Sequence, residues 1–208
     1  MTIIDERVSV PDRAPRRQAA RSTGTETIRN IPNAVTIART VGAVGIGAYA
    51  VSSHSLLLLG IAYAVYWLGD MADGWVARRL DQETRIGAVL DIVSDRACTA
   101  LLCVGLLAHL PVIWPVAVVF LLSFMVLDTM LSLAFLYWPL TSPNYFHLVD
   151  RRVWQLNWSP AAKAANTAGV VVAVALGAYI VAFVVAAAVV AVKLWTARRI
   201  SELLWEQA

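Results

Sequence analysis

Stretches of about twenty predominantly apolar residues recur along the chain, at 34–53, 55–75, 86–110, 112–137, 160–176 and 178–195. With a helical rise of about 1.5 Å per residue, such stretches can cross a hydrocarbon core of roughly 30 Å. Of 208 residues, 59% are hydrophobic and only 15% charged. The expected fold is therefore an all-α integral membrane domain with six transmembrane helices.

The last two stretches decide whether the count is even or odd. A single helix from Pro160 to Trp195 would be roughly 50 Å long, far beyond the core thickness. Gly177 sits near its middle, where a tight turn can form, so a hairpin of two spans is expected. The basic residues agree, because Lys and Arg near span ends concentrate on the cytoplasmic side. With six spans, Arg7 to Arg29, Arg78, Arg79, Arg85, Arg151, Arg152, Lys163, Lys193, Arg198 and Arg199 gather at one side, and the loops near Ser53, His109 and Gly177 hold none. Both termini are thus expected in the cytoplasm. Residues 1–30 mix Arg, Pro, Ser and Thr without apolar periodicity and read as a mobile cytoplasmic tail, with the six-helix domain over 31–208. No cleavable signal peptide is visible, so the first span is expected to serve as the membrane signal.

Much of the remaining chemistry-bearing inventory has a plain packing reading. Cys98 and Cys103, five apart on an apolar helix, fit neither a redox nor a zinc pair. The three histidines fall in loops or at span ends, and the tryptophans cluster near span ends as an interfacial belt does. There is no glycine-rich phosphate loop and no metal-type Cys/His cluster, and nucleic acid is not an expected partner.

Four aspartates stand apart, in DMADGWVARRLDQETRIGAVLDIVSD from Asp70 to Asp95. Asp70 and Asp73, three apart, share a helix face with the small residues Gly74 and Ala77. Gly87, Asp91 and Asp95 repeat at intervals of four and form a second stripe. A short connection makes the two helices antiparallel neighbours, so four carboxylates converge. Such a cluster is relieved by a hard divalent cation with oxygen ligands, Mg²⁺ or Mn²⁺, or by partial protonation as in proton pathways. Arg78 and Arg79 beside a metal suit a diphosphate ligand.

Asp70, Asp73, Gly74, Ala77, Arg78, Gly87, Asp91 and Asp95 reproduce DxxDGxxARx8GxxxDxxxD, and through them the chain resembles the CDP-alcohol phosphotransferases. The resemblance implies a multi-pass enzyme of the cell membrane, with its active site facing the cytoplasm. It implies transfer of a phosphoalcohol group from a CDP-linked donor to a hydroxyl, release of CMP, and a homodimer. Carried over by position, Asp70, Asp73, Asp91 and Asp95 would bind the metal, Asp73, Gly74, Ala77, Arg78 and Gly87 the CDP moiety, and Asp95 would be the general base.

The stretch NIPNAVTIAR (Asn30–Arg39) resembles the start of span one in phosphatidylglycerophosphate and cardiolipin synthases. LDTM (Leu127–Met130) and SPAAKAANTA (Ser159–Ala168) resemble eukaryotic-type cardiolipin synthases. The expected donor is then CDP-diacylglycerol and the expected acceptor glycerol-based, with phosphatidylglycerol ahead of glycerol 3-phosphate. Inositol phosphate or serine are the alternatives within the same chemistry. A transporter with intramembrane carboxylates is the alternative from another class, although only Asp128 lies where such a protein would need more. Arg39, about one turn inside the membrane, calls for a lipid phosphate or carboxylate partner, or snorkels to the interface. Arg151, Arg152 and Lys163 are candidates for an acceptor phosphate.

Overall fold

The computed structural model describes residues 26–206. All regular structure among them is helical. Helix α1 (Ile31–Ser52) begins where the Asn30 side chain accepts a hydrogen bond from the Asn33 N–H and Pro32 occupies the first turn. Helix α2 (Leu56–Arg79) is capped by Ser55 and ends with Arg78 and Arg79, cations that suit a helix C-terminus. Helix α3 (Arg85–His109) is capped by Thr84, and Glu26 adds a second cap by accepting from the Arg85 and Ile86 N–H groups. The tail expected over 1–30 thus lies outside the described residues up to position 25.

Helix α4 runs from Pro111 to Tyr137 and is interrupted by a π-helical stretch at Leu122–Asp128. A 3₁₀ stretch, Pro143–Leu148, leads to the short α5 (Arg151–Asn157). Helix α6, residues 160–175, carries a second π-helical stretch at Ala164–Ala168. The chain then turns at Gly177, whose φ of +71° favours glycine, into α7 (Tyr179–Trp205). The hairpin expected at this point is present.

By length and composition, α1, α2, α4 and α7 can each cross a membrane. Helix α3 is as long but places Asp91, Asp95 and Arg96 in its first half, and α6 is shorter. Large apolar side chains such as Val41, Leu57, Ile180 and Val184 are exposed, as a lipid-facing surface requires.

Helices α1, α2 and α3 pack against one another, and α4, α6 and α7 form the other half with two apolar cores. One core joins Ile113, Val116, Val170, Val174 and Ala186. The other stacks Phe146 against Trp138 and Trp158 at 5.1 and 4.9 Å and takes in Ile92 of α3 and Ile200 of α7. Between these cores the helices turn polar side chains inward, and a cavity of about 910 Å³ opens there.

Candidate active site

The buried stripe of α1 explains how three helices meet closely enough to build a site. Thr36, Arg39, Ala43, Gly47 and Ala50 recur every three or four residues and are all buried. Opposite them, Gly69 admits Arg39: a Cβ at Gly69 would lie 2.5 Å from the Arg39 Cβ. At Gly87 a Cβ would lie 2.8 Å from Asn33 Oδ1 and 2.9 Å from Thr84 Oγ1. Bare backbone at these two positions lets α1 lie in the groove between α2 and α3.

Arg39 consequently faces all four aspartates. Its Nε donates to Asp73 Oδ2 at 2.7 Å, and its Nη2 lies 2.5 Å from Asp91 Oδ1 and 3.2 Å from both Asp70 Oδ1 and Asp95 Oδ1. The Thr36 hydroxyl donates to the same Asp73 oxygen at 2.8 Å. Arg39 is 5% exposed, so neither snorkelling nor a lipid phosphate describes it; its partners are carboxylates.

Each carboxylate commits one oxygen to the guanidinium and retains a second. Asp70, Asp91 and Asp95 offer oxygens that lie within 4.8 Å of one another. Counted as ionised, four carboxylates facing one guanidinium leave an excess of negative charge, and hard oxygen donors so close together fit a divalent cation such as Mg²⁺ or Mn²⁺. Asp73 stands outside this trio and is the most deeply buried of the four.

Two cavities meet at the aspartates. The smaller, about 90 Å³, is lined by Asp73, Gly74, Ala77, Arg78, Gly87 and Asp91 among others, so the five residues expected to hold the CDP moiety share one cleft. The larger is lined by Asp70, Asp73, Asp91 and Asp95. Asp95 therefore lines the large cavity alone, whereas Asp73 and Asp91 line both.

Of the three basic residues considered for an acceptor phosphate, Lys163 lines the large cavity and donates to Asn144 Oδ1 at 3.0 Å. Arg151 and Arg152 do not line it, and Arg152 stacks over the Trp195 ring at 5.0 Å. Also lining the large cavity, Tyr145 donates to Glu83 Oε2 at 2.6 Å and ties the α2–α3 connection to the 3₁₀ stretch at Pro143–Leu148. Burial, and then the Glu83 carboxylate, push the phenol above its ordinary range.

Sequence reasoning missed a second buried charge cluster. Arg96 of α3 lies 2.5 Å from Asp128 Oδ2, donates to Thr129 Oγ1 at 2.8 Å and stacks on Phe124 at 3.9 Å. The other oxygen of Asp128 receives Lys193 of α7. Lys193, counted above with the basic residues of the cytoplasmic side, is 2% exposed. The available signal was an arginine and a lysine inside apolar runs, each of which demands a partner.

A family model for CDP-alcohol phosphatidyltransferases matches residues 29–197. The chain belongs to the CDP-alcohol phosphatidyltransferase family. Among curated relatives of the chain are CDP-diacylglycerol–inositol 3-phosphatidyltransferase 1 of Arabidopsis thaliana, 42% identical over 74 residues, and the CDP-diacylglycerol–inositol 3-phosphatidyltransferase of Candida albicans, 37% identical over 90 residues. The corresponding protein of Schizosaccharomyces pombe is 41% identical over 81 residues. These matches cover 36%, 43% and 39% of the chain and 32%, 36% and 33% of the relatives, so the chain spans about a third of each relative's length. No solved structure gives a significant match.

The relatives overturn the glycerol-based acceptor and the placement in the phosphatidylglycerophosphate and cardiolipin synthase branch. The geometry explains the error. In NIPNAVTIAR, Asn30 caps α1 and Thr36 and Arg39 hold aspartates, while in LDTM, Asp128 and Thr129 hold Arg96. Those side chains are engaged in holding the helices together, a task indifferent to the headgroup being made.

Proposed function

We propose that the chain transfers the phosphatidyl group of CDP-diacylglycerol to a hydroxyl of inositol and releases CMP. The observation that carries the transfer chemistry is the junction of the two cavities at the aspartates, with the CDP-type residues in the cleft on one side and a larger chamber, lined by Asp95, on the other. The choice of inositol rests on the similarity to the CDP-diacylglycerol–inositol 3-phosphatidyltransferases. A donor and an acceptor held in these two spaces meet at Asp73 and Asp91.

In the proposed reaction the inositol oxygen attacks the phosphorus that carries the diacylglycerol ester. A new P–O bond forms as the P–O bond to CMP breaks, and the hydroxyl proton passes to the Asp95 carboxylate. Arg78 lines both cavities and is suited to the diphosphate. Arg39 and Thr36 fix Asp73 from α1, so that the carboxylates stay in place as charge moves. A divalent cation held by Asp70, Asp91 and Asp95, with Asp73 as the fourth ligand that the motif implies, would neutralise the diphosphate and the departing CMP.

We infer further that six helices cross the cell membrane, with both termini and the aspartates at the cytoplasmic side. Support comes from the helix ends and from the absence of Lys and Arg in the turns near Ser53, His109 and Gly177. A tag at residue 208 detected outside the cell would overturn that orientation.

The experiment for the reaction offers the purified protein CDP-diacylglycerol and one alcohol at a time. CMP release with inositol is the expected result. Release with serine or glycerol 3-phosphate, and none with inositol, would overturn the acceptor.

A further inference from the structure

Both π-helical stretches, Leu122–Asp128 in α4 and Ala164–Ala168 in α6, border the large cavity. Each shifts the register of an otherwise regular helix, a feature frequent at functional sites. The first carries Ser123 to the cavity wall, the second Asn166 and Thr167, and α5 adds Trp154 and Asn157. None of these residues belongs to the aspartate motif.

Three residues that line this cavity each hold a buried polar atom with no protein partner: Ser123 Oγ, Asn157 Oδ1 and Trp154 Nε1. Ser123 and Asn157 are each 3% exposed. Buried polar groups are almost always paired, because leaving one unpaired opposes folding. The three differ in kind: a carbonyl oxygen that accepts, an indole N–H that donates and a hydroxyl that does both. That assortment matches the hydroxyls of a polyol, each of which also donates and accepts. The nearby cations Arg96 and Lys193 are engaged by Asp128.

We propose that Ser123, Trp154 and Asn157, beside the two π-helical stretches, form the seat of the acceptor ring and bond its hydroxyls. The proposal rests on the reading of inositol as acceptor and supplies the residues that select it. The three residues line the chamber that Asp95 lines and do not line the CDP-type cleft.

The test uses Ser123→Ala and Trp154→Phe in the full chain, with wild-type protein in parallel. Each variant removes one hydrogen-bonding group and keeps the bulk of the side chain. Each should raise the KM for inositol about 3–10-fold, the worth of one such bond, with CDP-diacylglycerol binding unchanged. Ser123→Ala should not lower the thermal midpoint, because it removes a hydroxyl that has no partner in the fold. Among deoxyinositols, one should be a poorer substrate for wild type yet lose little further in Ser123→Ala, as shared contacts do in a double-mutant cycle. Wild-type KM values in both variants would overturn the seat. If wild type uses serine or glycerol 3-phosphate instead of inositol, the acceptor reading fails, and the same KM comparison made with that alcohol decides the seat.

Discussion

Arg39 and Asp128 hold opposite kinds of cluster. One guanidinium faces four carboxylates between α1, α2 and α3, whereas one carboxylate faces a guanidinium and an ammonium between α3, α4 and α7. The first has anionic charge to spare and borders both cavities; the second has one carboxylate oxygen for each cation and borders only the larger. Helix α3 takes part in both through neighbouring residues, Asp95 and Arg96. The contrast separates a cluster whose charge needs a ligand from one whose charges largely satisfy one another.

The largest expected effect comes from removing divalent cations. Chelation should abolish CMP release, and added Mg²⁺ or Mn²⁺ should restore it, because the excess charge sits on the Arg39 cluster. Full turnover in excess chelator would make both clusters structural and erase the contrast.

Next comes Asp95→Asn, which keeps the shape of the side chain and removes the proposed base. It should lower kcat by about 10²–10⁴-fold, while CDP-diacylglycerol binding survives. Asp73→Asn should weaken donor binding itself, since Asp73 lines the CDP-type cleft and Asp95 does not. Near-wild-type turnover in Asp95→Asn would refute the base. Equal loss of binding and turnover in both variants would reduce Asp95 to a ligand.

The two clusters also differ in how far they could be read from the chain alone. Asp70, Asp73, Asp91 and Asp95 announce themselves through short-range spacing, because helix geometry turns intervals of three and four into a shared face. The helix ends are legible for the same local reason: Asn30, Ser55 and Thr84 cap where apolar runs begin. Arg96, Asp128 and Lys193 are 32 and 65 residues apart, and only the packing of three helices makes them one cluster. The π-helical stretches at Leu122–Asp128 and Ala164–Ala168 are equally hidden, since one extra residue in a turn leaves the apolar pattern nearly unchanged. The proposed acceptor seat lies in that hidden half, which the aspartate spacing does not report.

A stability comparison sharpens the difference. Arg39→Gln removes the cation that four carboxylates share, and Asp128→Asn removes the anion that two cations share. Breaking a buried pair by taking one partner leaves an uncompensated charge, at a cost of about 3–5 kcal/mol, so both variants should melt earlier than wild type. Adding Mg²⁺ or Mn²⁺ should recover much of the midpoint lost in Arg39→Gln, because a cation can replace a cation among carboxylates. It should do little for Asp128→Asn, where the lost charge is negative. Equal rescue of both, followed by thermal melting, would show that the ions act elsewhere.

The smallest effect is expected at Lys163, which lines the cavity shared by both clusters and belongs to neither. Its ammonium is exposed and donates to Asn144 Oδ1, a partner that water replaces easily. With inositol, which carries no phosphate for it to meet, Lys163→Ala should leave KM within about twofold of wild type, as substitutions at exposed positions generally change energies by no more than about 0.5 kcal/mol. A phosphorylated acceptor would behave differently, because a charge-assisted bond is worth about 1.5–3 kcal/mol and its loss would raise KM by roughly ten- to a hundredfold. Measuring KM for inositol and for inositol phosphate in both proteins therefore reads the charge of the acceptor. A large rise confined to inositol phosphate, together with weak wild-type use of inositol, would make Lys163 part of the recognition of a phosphorylated alcohol.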